Sequence, residues 1–208
     1  MSLLYDAVSK FSQSATKAEF EAEVKKANAE YFGLTGQVYE EDRSFEARMG
    51  LFLEWYLFDR LLESHAMTPL QVLLKNPPPE FTPEEIKVLE GLQDHPHSVY
   101  EFSKAKENVV HVVDLSNKKV KLQVYERRGT VGFMKGDIFE ARLFPFEGKL
   151  HFSGPMLFHP RGALKFIRRM FKENPERKKA VILSLSAMSL KLERYRHVPL
   201  EKIYSNLM

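Results

Sequence analysis

Apolar and polar residues alternate through the middle of the chain. Alternation of this kind, with a period of two, is typical of half-buried antiparallel strands. We predict strands at 98–104, 108–115, 119–126, 137–145 and 149–153, and 156–159 could add a sixth. The pattern predicts a small antiparallel β-barrel or a strongly bent sheet over residues 98–160. Six apolar side chains share one phase of their strands and should be buried: Val120, Leu122, Val124, Phe139, Ala141 and Leu143.

A helical period replaces this alternation in the first 97 residues. Apolar positions at spacings of three and four predict helices at 2–11, 16–31, 40–65, 69–75 and 82–93. Thr16, Thr68 and Thr82 are the predicted N-caps, because Thr16 and Thr82 have Glu three residues later and Thr68 and Thr82 precede Pro. Trp55, the only tryptophan, lies in the longest predicted helix, and we expect it to be largely buried.

Helices return after Pro160. One should run to about residue 172 and a second from 175 to 195, with an apolar middle at 180–190 that we expect to be buried. The fold class is therefore α+β, with a helical region at 1–97, a barrel at 98–160 and C-terminal helices at 161–208. We expect the C-terminal helices to pack on the rest as one globule.

The charges of the chain are unevenly distributed. Residues 1–97 hold 9 Lys and Arg against 17 Asp and Glu, whereas residues 98–208 hold 22 against 11. The basic excess peaks at 161–179, with 8 basic and 2 acidic residues. This asymmetry favours an anionic partner for the C-terminal part. The alternative is that the acidic and basic parts pack against each other.

The predicted helix at 161–172 carries most of the candidate anion-binding residues. Leu164, Ile167 and Phe171 form an apolar stripe, and basic side chains cover the rest of its surface. Such a helix can lie on nucleic acid or an anionic membrane, or it can simply dock through its stripe. The candidate anion-binding residues are Arg127, Arg128, Lys135, Arg161, Lys165, Arg168, Arg169 and Lys172. Candidates for stacking on unpaired bases are Tyr125, Phe144 and Phe146.

Composition and motifs exclude several kinds of chemistry. The chain has no Cys, so disulfides, thiolate metal sites and Cys catalysis are excluded. Nucleophile-elbow and phosphate-loop motifs are absent. His95 and His97 could ligate zinc, but a stable site needs three or four ligands, so we interpret them as surface-loop histidines. We therefore predict no catalytic residue, no metal and no cofactor.

The targeting features indicate a cytoplasmic protein. The first residues show no basic segment followed by an apolar segment, as a signal peptide would. The longest apolar run, 180–190, is shorter than the roughly 20 residues that a membrane span requires. We expect a cytoplasmic location and no membrane span.

Two resemblances add context. The segment at 114–119 resembles half of the PilZ pattern D-x-S-x-x-G, although Lys119 replaces the glycine and the upstream R-x-x-x-R is missing. The helix RMGLFLEWYLFDRLLESHAMTPLQVLL, followed by FTPEEIKVLEGLQDHPHSVYEFSKA, VVDLSNKKVKLQVYE and KGDIFEARLFPFEGKLHFSG, resembles uncharacterised bacterial proteins, over roughly residues 45–160. Some of those proteins carry a C-terminal SEC-C zinc module, which this chain lacks. The resemblance implies a bacterial origin and supplies no function.

These observations favour a non-catalytic binding or regulatory protein with a protein partner. The alternative is a protein that binds nucleic acid or a nucleotide through its basic C-terminal half. The position of the basic helix distinguishes these two hypotheses, because a basic surface buried against residues 1–97 would be unable to bind an external anion.

Overall fold

A computed structural model describes residues 2–117, 120–126 and 132–205. Within these residues, helices surround one five-stranded sheet, so the mixed α and β composition that the sequence predicts is confirmed. The helices are α1 (Ser2–Ala15), α2 (Glu21–Thr35), α3 (Phe45–Phe58), α4 (Pro69–Lys75), α5 (Pro83–Gly91), α6 (Leu164–Glu173), α7 (Lys178–Arg194) and α8 (Leu200–Tyr204). The strands are β1 (His97–Lys106), β2 (Val109–Asp114), β3 (Lys121–Tyr125), β4 (Ile138–Phe146) and β5 (Lys149–His159). Short 3-10 turns at 18–20, 161–163 and 175–177 precede α2, α6 and α7.

Two of the three predicted helix caps are present. The backbone N–H of Gln71 donates to the Thr68 hydroxyl at 3.2 Å, and Gln71 accepts from the Thr68 N–H at 2.9 Å. Thr82 and Glu85 make the same reciprocal pair at the start of α5. The prediction for Thr16 is wrong, because its hydroxyl donates back to the carbonyl of Ser12 at 2.8 Å. Thr16 therefore follows the end of α1, and α2 begins only at residue 21.

The five strands pair in the order β1-β2-β3-β5-β4, and β4 pairs again with β1, which closes the sheet into an irregular barrel. The pairing of β3 with β5 is parallel, so the prediction of a wholly antiparallel sheet is wrong there. Strand direction explains it. β1 and β3 are both antiparallel to β2, whereas β4 opposes β1 and β5 opposes β4. β5 must therefore run in the same direction as β3.

The irregularity of the sheet is concentrated at two register shifts. One lies in β1 between Phe102 and Lys104, and the other lies in β4 between Ala141 and Leu143. Opposite the second shift, β5 contains Gly154 with φ of 150°, a backbone conformation that favours glycine. The segments 149–153 and 156–159, predicted as separate strands, are thus one strand with a bulge.

Three clusters of buried apolar residues hold these elements together. The first joins α1 to α5 with Phe144 and Leu157 of the sheet and Leu190 of α7. The second joins α6, α7 and α8 with Val99 and Ile138. The third fills the barrel interior. Apolar residues on the outer side of β4 therefore pack against helices from both ends of the chain.

The burial prediction is confirmed for four of the six barrel residues. Val124, Phe139, Ala141 and Leu143 have no solvent exposure. Leu122 is half-buried against the barrel interior, and Val120 is half-buried in the turn before β3.

Trp55 is only partly buried. Its ring lies 5.3 Å from that of Tyr31, at the border of the N-terminal cluster. Nearby, α3 approaches β5 so closely that a Cβ on Gly50 would lie 2.5 Å from the Pro155 ring.

No helix in the described residues is both long enough and apolar enough to span a membrane.

Candidate anion-binding surface

The helix α6 separates its apolar and basic residues onto opposite sides. Its buried side chains are Phe166, Ile167, Met170 and Phe171, and they pack on α7, α8 and the outer side of the barrel. The cationic side chains lie on the opposite side, half-buried or exposed, and line one shallow depression. Glu173 also lines this depression, beside the four cations. We use the name α6 surface for the part of it formed by Lys165, Arg168, Arg169 and Lys172. The apolar stripe that the sequence predicted is therefore the docking side of the helix.

Three of the four cations on the α6 surface have no carboxylate partner among the described residues. Arg168 is the exception, because its Nη2 lies 2.6 Å from Oε2 of Glu101 on β1. The Arg169 guanidinium lies 5.6 Å from the Phe166 ring centroid, and Lys165 lies 4.8 Å from it. These contacts hold the side chains along the helix without neutralising their charge. An excess of positive charge therefore remains at this surface.

The other predicted anion-binding residues differ in position. Arg161 begins the turn before α6 and pairs with Asp137 at 2.7 Å, which neutralises much of its charge. Lys135 is exposed in the loop before β4, and a Cβ on the adjacent Gly136 would lie 3.9 Å from the Arg161 side chain. The structure thus brings Lys135 towards the start of α6. Arg127 and Arg128 lie outside the described residues.

The outer side of β1, β2 and β3 forms a second polar surface that the charge count alone did not reveal. Cross-strand pairing places His111 between Lys104 and Gln123, and Val109 between Lys106 and Tyr125. The residues of this surface are half-buried or exposed. We call it the strand face and define it by Lys104, Lys106, His111, Lys121, Gln123 and Tyr125. The signal for it was the polar phase of β3, which contains Lys121, Gln123 and Tyr125.

Of the predicted stacking residues, Tyr125 lies on the strand face. Its ring centroid is 5.7 Å from that of His151 and 4.7 Å from the Lys149 ammonium. Phe146 is half-buried nearby, with its ring 6.2 Å from His151. Phe144 is buried in the N-terminal cluster, so the prediction that it could stack on a base is wrong. Phe144 faces outward from the barrel, as predicted, but helices cover that side of β4.

The segment that resembled half of the PilZ pattern forms a closed hydrogen-bonded turn. Oδ1 of Asp114 accepts from the hydroxyl of Ser98 at 2.6 Å, the hydroxyl of Ser116 at 2.7 Å and the backbone N–H of Ser116 at 2.8 Å. This oxygen is therefore fully used inside the protein. Lys119, where that pattern has glycine, lies outside the described residues.

His95 and His97 belong to a buried polar network, so their interpretation as surface-loop histidines is wrong. Nη1 of Arg142 donates to Nε2 of His95, whose Nδ1 donates to the Leu92 carbonyl at 2.5 Å. Nε2 of His97 donates to Glu140 at 3.1 Å, and Nδ1 accepts a long contact of 3.5 Å from Arg142. Each imidazole thus uses one nitrogen as donor and the other as acceptor, as a neutral histidine does.

Arg142 is the centre of this network. It is 1 % exposed, and its Nη2 donates to Oδ2 of Asp59, while its Nε lies 3.4 Å from Oε2 of Glu54. Lys179 of α7 lies 2.7 Å from the other oxygen of Asp59. The network therefore joins α3, β4 and α7 through buried or partly buried charges. Sequence alternation could place Arg142 on the outer side of β4, but it could not show that helices cover that side.

The pKa values in the network follow from burial and charge. Burial lowers the pKa of His95 to about 4, and the positive charge of Arg142 adds to this effect. Burial raises the pKa of Glu54 to about 7, although Arg142 opposes the rise. Burial also favours protonation of Asp59, but Arg142 and Lys179 outweigh it and lower that pKa to about 2. These groups contact one another across the outer side of β4, so we interpret the network as a structural lock between α3, β4 and α7.

The described residues contain no group of three or more His, Asp and Glu side chains that could hold a metal ion. The chain belongs to DUF7986, a family of unknown function, whose sequence profile matches residues 8–188. That range includes every strand, the whole of α6 and the buried network. No curated protein matches the chain, and no solved structure matches it. The resemblance seen in the sequence is thus supported as membership of an uncharacterised family.

Proposed function

We propose that this protein is a non-catalytic binding protein, and that its ligand is an anionic polymer that docks on the α6 surface. A regulatory role in a bacterial cytoplasm would be compatible with this activity. The observation that carries the proposal is that three of the four cations on the α6 surface are not neutralised by a carboxylate among the described residues. Lys165 and Lys172 are exposed and Arg169 is half-buried, and none of the three has a carboxylate partner in the described residues.

The ion pairs elsewhere give this observation its weight. Arg194 pairs with Asp42 at 2.5 Å, and Lys179 pairs with Asp59 at 2.7 Å. These basic residues of α7 thus serve to bind the acidic N-terminal part. The helix α6 instead docks through apolar residues onto α7, α8 and the barrel, and its cations remain available. Packing between the acidic and basic parts therefore accounts for Lys179 and Arg194 of α7, but not for Lys165, Arg169 and Lys172 of α6.

The topology of the barrel is compatible with an extended polymer. A five-stranded Greek-key barrel in which the third and fifth strands meet is the arrangement of oligonucleotide-binding barrels, which bind ligand on the outer side of their second and third strands. This analogy concerns the fold, and a fold alone does not determine function. The charges of the α6 surface carry the proposal, and the barrel adds a neighbouring surface that can extend it.

A binding titration with charge-reversal variants tests the proposal. The probe is a fluorescently labelled 20-nucleotide oligonucleotide, used single-stranded and as a duplex, with anisotropy measured from low to moderate salt. The test variant is Lys165→Glu/Arg169→Glu/Lys172→Glu. Arg168 is left in place because its reversal would put two carboxylates against each other at Glu101. The wild-type protein should bind, and its affinity should fall steeply with salt because phosphate contacts release counterions.

The triple variant should lose at least ten-fold in affinity at low salt. Its salt slope should also fall by about 2 for single strands, since each phosphate contact contributes about 0.7. The control is Arg43→Glu/Lys75→Glu/Lys87→Glu, which makes the same change in net charge at exposed positions of the N-terminal region. Wild-type protein that fails to bind either probe at low salt, or equal losses in both triple variants, would contradict the proposal.

A further inference from the structure

We infer that the anionic polymer is a single-stranded nucleic acid and that it crosses the strand face, from the α6 surface to Tyr125. This inference rests on the proposed function. It adds the class of polymer and the path that the polymer takes across the protein surface. It depends on three observations, which are the continuity of the two surfaces, the charge along the strand face and the aromatic ring at its far end.

The strand face is continuous with the α6 surface. Strand pairing aligns Glu101 of β1 with Val113 of β2, and Val113 with Lys121 of β3. Arg168 of α6 reaches the first residue of this row, because it pairs with Glu101 at 2.6 Å. The helix thus borders the strand face along β1. Arg168 also neutralises Glu101, so the one acidic side chain in this row does not repel a phosphate.

Lysines continue along the strand face in the next two rows. The second row holds Lys104, His111 and Gln123, and the third holds Lys106, Val109 and Tyr125. Lys104, Lys106 and Lys121 are exposed, and a shallow groove runs between Lys104, His111 and Lys121. These lysines have no carboxylate partner among the described residues. Gln123 and His111 add groups that can hydrogen-bond to base edges.

The far end of the strand face is closed by two hairpin turns. Glu107 lies in the turn between β1 and β2 and Glu147 in the turn between β4 and β5, both with positive φ. Between these turns, Tyr125 presents its ring beside Lys149, whose ammonium lies 4.7 Å from the ring centroid. Lys149 is exposed, so it can move to a phosphate while a base takes its place on the ring. A ring with an adjacent cation is the usual element of sequence-tolerant single-strand binding.

The dimensions favour a single strand over a duplex. Lys121 and Tyr125 are four residues apart on β3, or about 13 Å at about 3.3 Å per residue. With the width of α6 added, the path suits roughly four nucleotides, at the lower limit for barrels of this type. A duplex keeps its bases stacked inside, so it could use the lysines but could not place a base on Tyr125.

The experiment compares single-strand and duplex affinities in Tyr125 variants. The probes are labelled oligo(dT), oligo(rU) and a mixed-sequence duplex, each of 20 nucleotides. The variants are Tyr125→Ala and Tyr125→Phe, and the control is Tyr195→Ala, which removes a tyrosine that is 53 % exposed at the end of α7. Circular dichroism and thermal unfolding verify that each variant is folded. The two single-stranded probes distinguish RNA from DNA.

Tyr125→Ala should weaken single-strand binding roughly ten-fold and leave duplex binding unchanged, because loss of one base stack affects only unpaired bases. Tyr125→Phe should retain wild-type affinity, since it keeps the ring and loses only the hydroxyl. Unchanged single-strand affinity in Tyr125→Ala, or an equal loss for the duplex, would overturn the inference. If the α6 triple variant still lost affinity for both polymers, the proposed function would stand while this path failed. If the α6 triple variant bound like its control, the proposed function itself would fail.

Discussion

Replacement of Arg142 by methionine should be among the most destabilising substitutions in this protein. Arg142 is 1 % exposed, and it lies between the carboxylates of Asp59 and Glu54. Methionine can fill much of the volume of the arginine stem, but it cannot donate a hydrogen bond. The variant would therefore leave Oδ2 of Asp59 and Nε2 of His95 without their donor, and it would remove the positive charge beside Glu54.

The magnitude follows from the surroundings of those groups. Removal of one partner from a buried ion pair costs about 3–5 kcal/mol, because the remaining charge stays in a medium of low dielectric constant. Asp59 keeps the exposed Lys179 at 2.7 Å, which offsets a small part of the loss, and Glu54 can take up a proton because its pKa is already raised to about 7. Both effects reduce the loss, so we expect about 3 kcal/mol. A domain of ordinary stability has only about 5–15 kcal/mol in total.

Urea unfolding followed by Trp55 fluorescence and by circular dichroism would measure this loss. The informative comparison is Arg142→Met with Arg142→Met/Glu54→Gln/Asp59→Asn, which removes the two negative charges as well. If uncompensated charge causes the instability, the triple variant should recover at least half of the lost free energy of unfolding. The pairing of Lys179 with Asp59 is lost too, but Lys179 is 74 % exposed and contributes little.

Two results would refute this reasoning. A loss of less than about 1 kcal/mol in Arg142→Met would show that the carboxylates are solvated or protonated in the native protein. A triple variant as unstable as the single variant would show that the shape and hydrogen bonds of the guanidinium matter more than its charge. Either result would remove the basis for describing the network as an electrostatic lock between α3, β4 and α7.

Two further predictions concern stability. Burial lowers the pKa of His95 and of His159 to about 4, so the native state should lose stability as the pH falls below about 6.5, where the unfolded histidines bind protons. Glu54, with its pKa raised to about 7, acts in the opposite direction and offsets about one of these two histidines. The pKa values of His97 and His151 are also lowered, so the net loss between pH 6.5 and 4.5 should be at least about 3 kcal/mol and should appear as a falling urea midpoint. A midpoint that rose on acidification would contradict these pKa directions. Val124→Asp should destabilise by several kcal/mol because Val124 is 0 % exposed in the barrel interior, and a thermal midpoint close to the wild-type value would refute its burial.

Local signals in the sequence predicted the elements that depend on neighbouring residues. The Thr-Pro caps at Thr68 and Thr82 fixed the starts of α4 and α5, because both partners of each capping box are only three residues apart. The capping-box spacing at Thr16 failed because the same hydroxyl can instead bond to a carbonyl four residues earlier. The alternation in β4 correctly placed Phe139 and Leu143 inside the barrel.

The contacts between distant elements could not be predicted in this way. Alternation gives the two sides of a strand but not what covers each side, so it could not show that helices cover Glu140 and Arg142 on the outer side of β4. Their partners come from the C-terminal end of α3, the loop before β1, the first residue of β1 and α7, far apart in the sequence. The parallel pairing of β3 with β5 likewise follows from the order of all five strands, which no single strand encodes.

The basic residues of the C-terminal half fall into two groups, according to whether they pair with acidic residues of the N-terminal region. Basic residues of β4 and α7 meet acidic residues of the N-terminal region, as Arg142 and Lys179 do at Asp59. These ion pairs hold β4 and α7 against the N-terminal region, so their charges are not available to a binding partner. The helix α6 is attached by apolar contacts and by the pair of Arg168 with Glu101, whereas Lys165, Arg169 and Lys172 have no carboxylate partner among the described residues. Cations that repel one another at a surface are tolerated at a cost to stability. That cost, which these three cations share, is the reason to seek the ligand at α6.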